Sequence, residues 1–409
     1  MKSLVTSQNV DSVEVNLLIT GGTGFVGKAI LARLVDQPGF DKIYMLVRSR
    51  PGASPEQRVA RMIGQMFPKA RAAQILERVH AIEGDLTLSG LGLKPEALDL
   101  LRTNVHQILH CGASTEFGAP LEEARLNNTE GTLRVLEVAT TLRQTGVLKR
   151  LEYISTAYVC GTKRGVVTES DLDRGQKFSN SYEQSKFEAE VLVNQFAKDM
   201  PITVYRPSII VGNSHNGYTP HFKVLYWPIL LMSKNLVSFI FCNKKAFLDV
   251  VPVDFVADSI VALMQQESTI GQTYLLTAGL GREIRIGDML RDSYELAGIT
   301  KRPVIPFWLF DIVSKTPLAR LLPEQFWAVA NLAKPYYSYL RGNAVRFDAS
   351  KTLKILKQLD VSPPNWQDYK REILNFCLAS RWGKRLPLPE YSYYLPARLG
   401  PDGDEQAVS

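Results

Sequence analysis

Apolar and polar positions fall into blocks along this chain, and the blocks alternate between two periods. An apolar run at Val15–Thr20 reads as a strand buried on both faces, as in a parallel sheet. Helical spacing follows from Lys28 to Leu34, and a second strand is expected at Lys42–Val47. Helical stretches at Pro55–Phe67 and Arg71–Arg78 precede a short strand at Val79–Ile82. Further strands are expected at Val105–His110, Lys149–Ile154 and Ile202–Tyr205, separated by helices at Leu121–Arg143 and from Tyr182 to Phe196. This rhythm specifies an α/β fold, a doubly wound parallel sheet with right-handed crossovers and helices on both faces.

From Gly212 the pattern changes. Asn213–Pro220 is a polar loop, and His221–Ile240 is aromatic and apolar with scattered basic residues. Strand-and-helix pattern returns at Val250–Asp254, Val256–Gln265 and Gln272–Leu276. After Lys301 the chain is rich in Trp, Tyr, Phe and Pro, which suggests short helices around an apolar region. Core packing accounts for such a composition, and a long apolar ligand pocket has the same signature. The expected division is a parallel-sheet unit over 14–270, with an insert at about 213–248, and a smaller, mainly helical C-terminal region over 271–409.

Composition narrows the picture. Of 409 residues, 45% are hydrophobic and 22% charged, as in soluble globular proteins. The first fifteen residues show no apolar core or cleavage-like site, so no signal peptide is expected. The most apolar segment, Val224–Cys242, is broken by Pro228, Lys234 and Asn235, which argues against a transmembrane span. Four scattered cysteines have no metal-type spacing, and reduced thiols in the cytoplasm are the simplest reading. A net charge of +7 suits an acidic carrier, a phosphorylated substrate or an anionic membrane surface, with a solvated basic face as the plain alternative. Nucleic acid is not an expected partner, because no arginine-rich tract or recognition module is present.

Candidate chemistry begins where the first strand ends. Gly21, Gly22, Gly24 and Gly27 lie between strand and helix, where glycine permits a tight turn and close approach to a pyrophosphate at a helix N-terminus. The candidate cofactor contacts in this loop are Gly21, Thr23, Gly24, Phe25, Val26 and Gly27. Arg48 ends the second strand, where arginine suits a ribose 2′-phosphate and an acid would suit a 2′-hydroxyl, so NADP(H) is the expected cofactor. Arg50 and Arg58 stand ready to assist. Asp85, within Gly84-Asp85-Leu86, follows the third strand and is placed to meet an adenine edge, with Leu86 beside it. His106 and His110 share helical spacing but fall in a strand, and no metal site is assigned.

Ser155 and Thr156 sit at a strand's carboxyl end, where open α/β sheets bind ligands. Tyr182 and Lys186 are four residues apart at the start of a helix, which puts phenol and ammonium on one face. A phenol titrates near pH 10, and a neighbouring ammonium is expected to lower that value and make it a working acid.

In this order these motifs resemble the extended short-chain dehydrogenase/reductase family (Rossmann fold) over roughly residues 14–300. The Gly21/Gly24/Gly27 register, preceded by Thr20, is the one that family uses. The resemblance implies catalytic roles for Thr156, Tyr182 and Lys186, with Tyr182 and Lys186 also touching the cofactor, and an ordering role for Asn128 ahead of Gly131-Thr132. Within the family the chain is most similar to the fatty acyl-CoA reductase and thioester reductase branch. The matching pieces are GGTGFVGKAIL, KIYMLVR, GLGL at Gly90–Leu93, STAYV at Ser155–Val159 and YRPSIIVG at Tyr205–Gly212; NWQDYKREIL matches weakly.

That likeness implies hydride reduction of an acyl thioester, carried on CoA or on an acyl carrier protein, to an aldehyde, an alcohol or both, without a covalent cysteine intermediate. A cytoplasmic location follows, with contact at a membrane surface left open. Two other readings share the fold: a 3-hydroxysteroid-type dehydrogenase or nucleotide-sugar epimerase, and a non-catalytic NADP-sensing module. Arg48 and the aromatic C-terminal third argue against the sugar enzymes, and the Tyr/Lys pair argues against the sensor.

Overall fold

Seven strands form one sheet: β1 (Val15–Thr20), β2 (Phe40–Val47), β3 (Val79–Glu83), β4 (Gln107–His110), β5 (Arg150–Ile154), β6 (Ile202–Pro207) and β7 (Thr273–Leu276). Their order is β7-β6-β5-β4-β1-β2-β3, and every neighbouring pair is parallel. The computed structural model describes residues 15–317, 324–342 and 345–386. The amino-terminal stretch read as lacking a signal peptide, the polar tail after Gly400 and the Trp227 side chain lie outside the described residues.

The strands read as apolar runs because both faces are covered. On one face α1 (Phe25–Leu34) packs with a helix from far along the chain, burying Ala29 and Ile30 against Val256 and Ile260. On the other, α2 (Gly131–Arg143) and α3 (Ser181–Phe196) bury Val135, Leu136, Ala189 and Val193. The remaining helices used below are α4 (Tyr226–Ser233), α5 (Val253–Met264, the distant partner of α1), α6 (Phe307–Val313), α7 (Glu324–Ala333) and α8 (Trp366–Ala379). Among the described residues no helix is long and apolar enough to cross a membrane.

Connections leave β1 in opposite directions, to β2 and β3 on one side and to β4 and beyond on the other. That reversal opens a crevice at the carboxyl ends of β1 and β4, the ligand site of open α/β sheets.

Three expectations change in the structure. The helix over Leu121–Arg143 is interrupted by a π turn at Leu126–Glu130, which contains Asn128. The polar stretch Thr162–Ser179, where the sequence pattern offers no strand, contains one at Gly165–Val167 that pairs in parallel with Val345–Phe347, a partner too distant for local pattern to show. Val253 opens α5 where a strand through Asp254 was expected, so the strand there is only Val250–Pro252. The main sheet also continues past residue 270, since β7 pairs with β6. On the substrate side, Ile240–Phe241 pairs with Val304–Ile305, so the chain after Lys301 is woven into the insert.

Candidate active site

A cavity of about 620 Å³ opens at the carboxyl ends of the central strands. Gly21, Thr23, Gly24, Phe25, Val26 and Gly27 form one wall. Gly21 has φ +71°, and a Cβ there would lie 2.5 Å from the Gly112 backbone nitrogen; a Cβ on Gly27 would run into the Gly21 carbonyl. No side chain caps α1 and no acid stands in its first turn, so the positive end of the helix faces an uncrowded cradle. This is a fit for a pyrophosphate, and side chains in the loop would fill it.

At the far wall Arg48, Asp85 and Leu86 line the cavity together with Arg50 and Arg58. The Arg48 side chain is 56% exposed and lies 3.9 Å from the Asp85 carboxylate. Asp85 Oδ1 accepts hydrogen bonds from the Thr87 N–H and hydroxyl, both 2.9 Å, which fixes the turn. Arg58 donates to the Arg48 carbonyl, and burial followed by the charges of Arg50 and Arg48 lowers its pKa. Three guanidinium groups therefore crowd one end of the cavity, an environment for a dianion.

Thr156, Tyr182 and Lys186 line the same cavity from opposite elements. Thr156 lies two residues past the end of β5 and caps a short turn, accepting from the Tyr158 N–H at 3.3 Å. The start of α3 is fixed by Asn180, whose side chain accepts from the Glu183 N–H at 2.9 Å, and by Glu183, which accepts from the Ser179 N–H at 2.9 Å. Tyr182 therefore lies in the first turn of α3, with Lys186 one turn further in. Phe117 stacks on the Tyr182 ring at 5.3 Å.

The electrostatics differ from the expectation of a lowered Tyr182 pKa. Burial pushes Tyr182 up to about 12, with the Thr156 hydroxyl as the opposing influence. Lys186 is turned elsewhere: its ammonium donates to Tyr153 Oη and to the Ile154 carbonyl, both at 2.8 Å. Burial lowers Lys186 to about 8, opposed by Glu190 and Cys111. Glu190 is wholly buried, accepting from the Ser155 hydroxyl and from the Arg206 guanidinium, whose Nε is at 2.9 Å.

Asn128 donates to Ser185 Oγ at 2.9 Å and to the Ser114 carbonyl at 3.0 Å, and accepts from the Ser114 N–H at 2.7 Å. The π turn thus ties the loop after β4 to α3. His110 lies between Thr20 Oγ1 at 2.6 Å and Thr132 Oγ1 at 3.1 Å; burial, then Lys186, brings it down to about 3, so it is neutral.

Sequence reasoning missed Tyr153, Phe117, Glu190 and Tyr339. Only Glu190 had a signal, as an acid one helical turn beyond Lys186. Tyr339, which donates to Glu183 at 3.2 Å, lines both this cavity and a second of about 600 Å³. Val224 and Leu225 are also shared. The second cavity is lined by Phe307, Phe310 and Phe326 among other apolar groups. The other aromatics expected there go elsewhere. Phe222 packs on Phe376 and Trp382, Tyr226 accepts from the Gly212 N–H at 2.9 Å beside the first cavity, Trp327 packs on Phe326, and Trp308 is 61% exposed.

Comparison with known proteins agrees with this geometry. The family model described as male sterility protein, of NAD-binding type, matches residues 19–260, more than half of the chain. A protein of Drosophila melanogaster named as a fatty acyl-CoA reductase is 27% identical over 284 residues, covering 60% of this chain and 50% of its own length. Fatty acyl-CoA reductase 1 of Rattus norvegicus is 23% identical over 458 residues, covering 93% of this chain and 86% of its own. The terminal R domain from the myxalamid PKS-NRPS biosynthetic pathway has the same fold, with a TM-score of 0.74 at 24% identity over 91% of this chain and 92% of that one. The chain thus spans only half the length of the Drosophila relative. A family match over most of the sheet, glycines where a dinucleotide cradle needs them and a Thr/Tyr/Lys set on its rim lead to one conclusion: the chain belongs to the male sterility family of NAD-binding type.

Proposed function

We propose that this chain is an NADPH-dependent reductase of acyl thioesters, carried on CoA or on a carrier protein, giving aldehyde, alcohol or both. The observation that carries this reading is the junction of two cavities: a polar one holding Thr156, Tyr182 and Lys186, and an apolar one beyond Val224, Leu225 and Tyr339. One accommodates a dinucleotide and a reacting carbonyl, and the other an alkyl chain.

Gly21, Thr23, Gly24, Phe25, Val26 and Gly27 would hold the cofactor's pyrophosphate, Arg48 its 2′-phosphate, and Asp85 and Leu86 the adenine side. Bound NADPH supplies hydride to the carbonyl carbon. Thr156 and Tyr182 donate hydrogen bonds to the thioester oxygen and stabilise the negative charge that develops there. The resulting hemithioacetal loses thiol to leave an aldehyde. In a second reduction, for which a second NADPH would supply the hydride, Tyr182 would give its proton to the aldehyde oxygen, and the product is the alcohol.

Lys186 would need its charge to hold the nicotinamide ribose. The groups facing it are Tyr153, His110, Cys111 and Glu190. Its charge is present below about 8 and lost above, whereas Tyr182 keeps its proton to about 12. Turnover is therefore expected to fall as pH rises through about 8. A pH profile of kcat checks this, and a flat profile to pH 10 would show that Lys186 charge is not needed.

Arg48→Ala is expected to raise KM for NADPH roughly tenfold and leave KM for NADH nearly unchanged. A charge-assisted contact is worth about 1.5–3 kcal/mol, and the lower end applies at so exposed a position. Equal losses with both cofactors would remove the case for NADPH.

The deciding experiment measures kcat/KM with NADPH across acyl thioesters from four to eighteen carbons, with mass analysis of product. Each buried methylene contributes about 0.8 kcal/mol, so four more should raise kcat/KM by over a hundredfold until the cavity is full. A profile flat in chain length, or one favouring short polar acyl groups, would overturn the long-chain reading.

A further inference from the structure

Beside the apolar cavity the surface carries a feature that thioester reduction does not require. Helix α6 buries Phe307 and Phe310 toward the cavity, while Trp308, Leu309 and Ile312 on its other side are 61%, 36% and 53% exposed. Leu236, also 61% exposed, lines the same cavity from the turn after α4. These two places are joined: Arg302 donates to Asn235, next to Leu236, and Val304–Ile305, just ahead of α6, pairs with Ile240–Phe241. A tryptophan, an isoleucine and two leucines are thus left to solvent on two adjoining segments beside the apolar cavity.

Charge is concentrated in the same two segments. Residues 222–248 and 299–342 contain ten lysines and arginines but only two acidic residues, Asp311 and Glu324. Their excess of eight positive charges accounts for the whole net charge of +7. Arg320 lies outside the described residues, Arg341 is paired with Asp311, and Lys223 with Glu116. Lys234, Lys301 and Lys315 are exposed beside Leu236, ahead of α6 and at its end.

We propose that this face is a docking surface for an anionic lipid bilayer, with Trp308, Leu309, Ile312 and Leu236 entering the headgroup layer and the lysines meeting lipid phosphates. Tryptophan beside aliphatic groups and flanking lysines is the composition of interfacial helices, and each part matches one layer of the bilayer. An acidic carrier protein would explain the lysines but leave the exposed aliphatic and indole groups without a partner. Docked this way, the segments that wall the apolar cavity lie against the phase in which long acyl chains concentrate. The surface stands on exposure and charge, and so holds whether or not the cavity takes an acyl thioester.

The test is sedimentation of the full chain with vesicles of phosphatidylcholine alone and with about a third phosphatidylglycerol, at low and high salt. Binding is expected to the anionic vesicles, to weaken at least tenfold without phosphatidylglycerol or at high salt, and to weaken at least tenfold in Trp308→Ser/Ile312→Ser. Both residues are exposed, so thermal unfolding of the double variant should match the parent. The tryptophan emission should shift to the blue with anionic vesicles and lose most of that shift in Trp308→Phe. No vesicle binding, or binding equal in parent and double variant, would overturn the proposal; so would capture of an acidic acyl carrier protein by this face without any affinity for vesicles.

Discussion

Replacing Tyr182 with phenylalanine is expected to lower turnover about 10²–10⁴-fold while NADPH binding and the fold survive. The change removes one hydroxyl, and a positioned proton donor contributes within that range. The Tyr182 ring would remain stacked on Phe117 at the start of α3, so packing is retained. With an aldehyde substrate the full loss is expected, because the oxygen must end protonated. With a thioester the loss should be smaller, since Thr156 still donates to the oxygen of the hemithioacetal. Aldehyde reduction near the parent rate would show that the proton comes from elsewhere. Measuring both substrates in the same variant separates proton donation from general damage to the site.

The second large effect concerns a group that touches no substrate. Glu190→Ala is expected to destabilise the protein by about 3–5 kcal/mol, because it leaves the buried Arg206 guanidinium without its counter-ion. Arg206 is 2% exposed, and its remaining bonds, to the carbonyls of Glu169 at 3.1 Å and Asp171 at 2.8 Å, carry no full charge. The midpoint of urea unfolding reads this directly. A loss below about 1 kcal/mol would mean that water or movement compensates for the missing carboxylate. Replacing both partners, as Glu190→Leu/Arg206→Met, should recover much of the loss, since apolar groups of similar volume need no counter-ion. The Ala variant should also shift the alkaline fall in turnover to lower pH, because Glu190 is the foremost influence holding the Lys186 proton.

Much of the polar half of the site was legible in the sequence because it is local. Glycines between a strand and a helix, Arg48 at a strand end and Tyr182/Lys186 on one helix face each express a constraint within a few residues. What was not legible depends on distant pairing. Tyr153 reads as an ordinary core residue of β5, and only the placing of α3 over β5 makes its hydroxyl the acceptor for Lys186. The same placing buries Tyr182, which raises its phenol where a lowered value was expected, and leaves the Lys186 ammonium on Tyr153 and Ile154. The aromatic C-terminal third illustrates another limit. Composition makes Phe307, Trp308 and Phe310 look alike, but the turn of a helix sends two inward and one outward. The π turn at Asn128 had no sequence signal, and it shows only in the way Asn128 bridges Ser114 and Ser185.

The parallel pairing of Val345–Phe347 with Gly165–Val167 bears on how the protein is made. These strands are separated by most of the second half of the chain, and a ribosome must deliver nearly all of it before they can meet. The dinucleotide cradle can form early from contiguous βα units, whereas the apolar cavity, closed by Phe307, Phe310 and Phe326, must wait. Contacts of such long sequence separation slow folding and leave greasy surface uncovered in the interval. Aromatic walls that line a cavity in the finished protein are thus a hazard in the nascent one, and chaperone demand during synthesis should track the chain beyond residue 300 more than the sheet before it.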